Sequence, residues 1–239
     1  MALAAAVIAA GLTSSAALAG RGPGLAQPSA TTWTVTPGGS FTGKSGTATF
    51  TDTKTGTVIT CVSANMAGSL KQGSGLAGKG LGTIKSLTFV TCTGPLGIGF
   101  SMSSGPVTWS LNAVSYKSGV TSGTITGIHF TITSSGCSAV VDGTGGTARN
   151  GQVKITFTNA NNHLRILPGG GNLHIYNVKG CLGELGNGDP GGLAACILPA
   201  PPQMVVGKGG GGGPAMIGPP CRKKLSARAG RTAGLAAGR

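Results

Sequence analysis

From Thr31 to Val178 apolar residues alternate with Thr and Ser, and glycines punctuate the alternation. The segments 32–36 (TWTVT), 46–51 (GTATFT), 83–89 (TIKSLTF), 123–132 (GTITGIHFTI), 152–157 (QVKITF) and 172–178 (NLHIYNV) all follow this rule. A period of two puts one face of each segment in a core and the other in water, the signature of a half-buried strand. No window of helical length here keeps a 3.6-residue period free of Gly and β-branched residues, so no helix is predicted. Many short strands joined by Gly-containing turns predict an all-β fold, an antiparallel β-sandwich or small β-barrel.

Two further segments flank the patterned region. Residues 1–19 form an uncharged apolar run closing on Ala17-Leu18-Ala19, which reads as a secretory signal peptide; 20–30 then serve as a linker. The run is broken at Thr13-Ser14-Ser15 and is shorter than the roughly 20 residues a bilayer span needs, so no transmembrane segment is expected. After Gly180, Thr and Ser nearly vanish and Gly, Ala, Pro and Arg take over, with five consecutive glycines inside 207–214. Such composition cannot recover in burial what its ordering costs. The expected organisation is therefore a β domain over 31–189 and a disordered tail over 190–239.

Export changes the meaning of the cysteines. In an oxidising compartment they are disulfide candidates before they are metal or redox groups. Cys61, Cys92, Cys137 and Cys181 open and close two weakly similar halves, each running through a Gly-rich stretch to a strand. Among the three connectivities that four cysteines permit, this parallel favours Cys61 with Cys92 and Cys137 with Cys181. Cys196 and Cys221 fall in the tail and are expected as free thiols.

The chain carries eighteen Lys and Arg against four carboxylates, Asp52, Asp142, Glu184 and Asp189, a net charge of +14. Carboxylate scarcity argues against paired-acid glycosidase chemistry and a calcium cage. The bases are spread singly except in the tail, where Lys208, Arg222, Lys223, Lys224, Arg228, Arg231 and Arg239 lie without a single acid among them. That distribution suits loose attraction to an anionic cell-wall polymer or glycan. It also suits lysines that protect strand edges.

Motif matches are weak. Residues 73–79 (GSGLAGK) fit the start of a phosphate-binding loop, but Gly80 stands where Ser or Thr is needed and no helix follows, so no nucleotide and no other cofactor is expected. His129, His163 and His174 with Asp142 supply the residue types of a hydrolytic site without a Gly-x-Ser-x-Gly elbow. No histidine pair has metal-ligand spacing. Trp33, Trp109 and Tyr116 are candidates for stacking on a sugar, against the alternative that large rings fill the core. Nothing in the sequence points to assembly, so a monomer is expected.

The segments 32–39 (TWTVTPGG), 112–116 (NAVSY), 136–143 (GCSAVVDG) and 171–181 (GNLHIYNVKGC) resemble a family of uncharacterised secreted proteins of actinomycete bacteria. The resemblance covers roughly Thr31 to Asp189. It implies export and an all-β domain, carries no function, and implies a final Thr-rich strand where this chain has Gly191 onward. Together these features lead to a secreted or envelope-associated protein with a non-enzymatic binding or structural role, the alternative being a secreted hydrolase built on a histidine and Asp142.

Overall fold

The computed structural model describes residues 31–208 apart from Thr147, and the segments expected to be a signal peptide and a linker lie outside that range. Strands alone carry the fold, with one short 3₁₀ turn at Pro95–Gly97. In chain order the first eight are β1 (Thr32–Thr36), β2 (Gly39–Ser45), β3 (Ala48–Asp52), β4 (Val58–Leu70), β5 (Gly73–Ala77), β6 (Gly82–Thr93), β7 (Gly99–Ser103) and β8 (Trp109–Lys117). There follow β9 (Val120–Ile128), β10 (Phe130–Ser134), β11 (Cys137–Asp142), β12 (Gly151–Thr158), β13 (His163–Ile166), β14 (His174–Lys179), β15 (Gly191–Ala200) and β16 (Met204–Lys208).

Every pairing is antiparallel. Eight strands, β6, β8, β9, β12, β13, β15, β2 and β4, pair in that order, and β4 then pairs back onto β6 to close a barrel. Closure removes the sheet edges that would otherwise template aggregation. The long strands β4 and β6 run on beyond the barrel. There β6 pairs with β7, and β10, β11 and β14 extend that layer. On the opposite flank β3 pairs with both β4 and β15. The layer curls back because the N–H of Ile175 donates to the carbonyl of Asp189 (2.9 Å) and that of Gly191 to the carbonyl of Leu173 (2.8 Å). A second ring thus shares β4, β6 and β15 with the barrel.

Inward positions are mostly apolar, and each ring has its own filling. Leu111, Ile125, Val153 and Ile197 are buried in the barrel strands, and Phe50, Ile59, Phe130, Ile132 and Ile175 in the second ring. The Phe50 and Phe130 rings meet edge to face at 5.6 Å. A separate sheet, β16–β1–β5, lies against the barrel and contributes Trp33, Val35 and Val205 to the core. Disulfides join Cys61 on β4 to its register partner Cys92 on β6, and Cys137 on β11 to Cys181 just past β14.

Two expectations are corrected. The β domain does not end at Asp189. β15 and β16 are ordered strands, and β15 is one stave of the barrel, burying Leu193, Ala195 and Ile197. Its apolar inward positions suffice although its outward ones lack Thr. The disorder expected from 209 onward lies outside the described residues. Cys196 on β15 is disulfide-bonded rather than free.

Candidate functional site

The alternation over 123–132 divides between two strands, β9 and β10, with His129 between them and Ile128 and Phe130 on either side both buried. Phe130 pairs with Val141 in the β10–β11 ladder, which sets His129 beside Asp142, and its Nδ1 lies 2.9 Å from the Asp142 Oδ2. Asp142, the last residue of β11, is fully buried. It also accepts the backbone N–H groups of Gly143, Arg149 and Asn150, at 2.6, 3.2 and 3.1 Å. Burial alone would raise this carboxyl, but the hydrogen bonds from His129 and the three amides outweigh burial and hold it below the ordinary carboxylate value.

The other two histidines are placed differently. His174 stands opposite Asp142 in the β11–β14 register, yet its Nδ1 lies 3.0 Å from the carbonyl oxygen of Asn172. His163 opens β13, apart from that corner; its Nδ1 is buried without a partner, and burial followed by the charge of Arg165 pushes its pKa down. Of the three, only His129 bonds to Asp142 among the described residues.

The remaining carboxylates tie loops together. Asp52 accepts the N–H groups of Lys54, Thr55 and Gly186. Asp189 pairs with the Lys54 ammonium at 2.9 Å, and its hydrogen bond and charge raise the lysine pKa. Glu184 takes the Thr57 hydroxyl at 2.8 Å. His174 faces Pro190 across a β-bridge, and the Thr53 N–H donates to the Pro190 carbonyl, so all four acids gather along one rim of the second ring. No group of them among the described residues could hold a metal ion. Asp52 and Asp142, the pair a glycosidase reading requires, sit in separate hydrogen-bond networks.

Trp33 and Trp109 are 1% and 2% exposed, so they fill the core and cannot stack on a ligand. Tyr116 is half-buried against that core. The segment Gly73–Lys79 is largely β5, not a phosphate loop. Gly78 is required there for a different reason: a Cβ would collide with the Ala113 carbonyl and the Trp33 indole nitrogen.

A groove of about 370 Å³ lies elsewhere, on the outer surface over β15, β2, β4 and β6. The ladder aligns Leu198, Lys44, Asn65 and Thr88 in one row across it and Ala200, Thr42, Ala67 and Ser86 in the next. The first row continues through Ser103, Thr131 and Val140 to Tyr176. At about 4.8 Å per strand it spans roughly 30 Å of curved surface. Lys44 is exposed, and so is Lys85 beside Ser86 at a β-bulge; among the described residues neither has an ion-pair partner. Sequence reading missed this face because β2 and β4 were not among the predicted strands. The alternation in 41–45 (FTGKS), with Thr42 and Lys44 outward, is the signal that could have found it.

No helix among the described residues is long and apolar enough to cross a membrane. Compared with protein families, with curated proteins and with solved structures, the chain matches none.

Proposed function

We propose that the chain is an exported, monomeric, non-enzymatic binding protein of the extracellular space or cell envelope, and that its ligand is an extended anionic wall polymer or glycan lying along the outer groove. The observation that carries this reading is the groove's chemistry. Short hydroxyl and amide side chains (Thr42, Asn65, Ser86, Thr88) point outward in register, with Lys44 and Lys85 lacking ion-pair partners among the described residues, while every carboxylate is engaged along one rim of the second ring. Flat rows of small polar groups accept a long polymer without a deep pocket, and charge attraction of this kind is screened over about 10 Å at 0.1 M salt. The disulfides fit an oxidising compartment.

The test is retention on isolated bacterial cell wall at increasing salt, comparing the full chain with K44E/K85E. Retention that falls with salt and is weakened by the double reversal is expected. Retention at 1 M salt, unchanged in the variant, overturns the reading.

The His129–Asp142 pair favours a second reading, hydrolysis with His129 as general base. Against it, both oxygens of Asp142 are already occupied by backbone amides, which makes the carboxylate the organiser of the Gly143–Asn150 loop. Turnover of ester, glycan or peptide substrates that disappears in H129A would establish the hydrolase; none is expected.

A further inference from the structure

The barrel is not filled at the end that β16 covers. An apolar pocket of about 60 Å³, not fully enclosed, remains beneath β16, walled by Phe41, Leu70, Leu111, Phe157, Leu164 and Val205, among others. Three polar side chains share its wall, and each is engaged by protein. The Asn112 amide accepts the Gly80 N–H and donates toward Thr126; the Thr121 hydroxyl donates to the Val205 carbonyl; Gln203 accepts the Gly38 N–H and donates to the Pro201 carbonyl. A buried water needs two to four polar partners, and no polar atom is exposed on this wall. The space is large enough for water and chemically closed to it.

We infer that this lumen is a binding site, separate from the outer groove, for a small apolar molecule or the terminal carbons of an alkyl chain. Eight-stranded barrels are the size at which the interior either just fills or holds one small ligand. Apolar voids of about 150 Å³ stay dry and take up benzene or xenon, so a smaller void of the same chemistry selects xenon-sized or short aliphatic occupants.

The roof provides an entry. β16 pairs with β1 but with no barrel strand. Side chains hold it down instead: the Asn159 amide bonds both the N–H and the carbonyl of Val205, and Asn162 accepts the Gln203 N–H and donates to the Pro199 carbonyl. A roof fixed by a few side-chain bonds opens locally without breaking the barrel.

The experiment is a titration of the full chain with dissolved xenon, n-butane and octanoate, read on the methyl resonances of Leu111, Leu164 and Val205. Saturable shifts confined to these methyls are expected with xenon and butane. Saturation with octanoate as well identifies alkyl-chain ends as the ligand, and its absence identifies free small molecules. L164F, which fills the void, is expected to weaken butane binding at least tenfold, and L164A, which enlarges it, to strengthen xenon binding several-fold. The inference is overturned if neither xenon nor butane saturates these methyls in the unmodified chain, or if both leucine variants bind as the unmodified chain does.

Discussion

Asp142 illustrates how much one buried side chain can organise. Its oxygens accept His129 and three backbone amides that otherwise lack partners in the 143–150 loop. D142A leaves those donors unsatisfied and is expected to cost at least about 2 kcal/mol, measured by chemical denaturation. Because its pKa is depressed on folding, the stability Asp142 contributes is present above the unfolded carboxylate value, about 3.9, and is lost as pH falls through the lower folded value. His163 acts at milder pH. Its pKa too is lowered, so the unfolded chain takes up the proton first, and stability falls as pH drops below about 6.5. H163L is expected to flatten the fall in melting temperature between pH 7 and 5; an unchanged slope would show that other groups set it. The sequence supplied the letters of this corner, His129 and Asp142, but not their pairing, because that contact follows from the β10–β11 register, which the alternation does not specify.

At the scale of elements, strands were legible where a wet face carried Thr or Ser, as in β1, β9 and β12. They were hidden where it did not. In β4, Ser63 and Ala64 are both buried, which interrupts the alternation, while β15 presents Ala194, Cys196, Leu198 and Ala200 outward and shows no polar period. Composition alone therefore placed the domain boundary too early. Cys61 and Cys92 belong to the legible part, since the two similar halves of the chain pointed to their pairing. Their bond closes a sequence separation of 31 residues between β4 and β6, two of the three strands shared by both rings. Loop entropy assigns such a link about 3.5 to 4 kcal/mol, so C61A/C92A is expected to lose roughly 2–5 kcal/mol in denaturant unfolding. A loss below 1 kcal/mol would mean that the barrel ladder alone fixes β4 against β6.

For the whole molecule, the distribution of charge follows from the two-ring plan. The acids are spent on joining loops at one rim, and the lysines on the outward strand faces have few carboxylates to meet, which leaves the outer groove positive. Closure has a second consequence. Since β15 connects β13 to β2 and also carries β3, removing everything after Asp189 opens both rings at once. Such a truncation exposes four unpaired strand edges along with Ile197-facing core, and the product is expected to aggregate or show no cooperative melt. This bears on how the basic C-terminal segment can be assayed for a contribution to polymer binding. Its role has to be read by charge-neutralising substitutions of Arg222, Lys223 and Lys224 in the full chain. If the outer groove dominates, these should reduce wall retention less than K44E/K85E at every salt concentration; the opposite order would move the binding face to the tail.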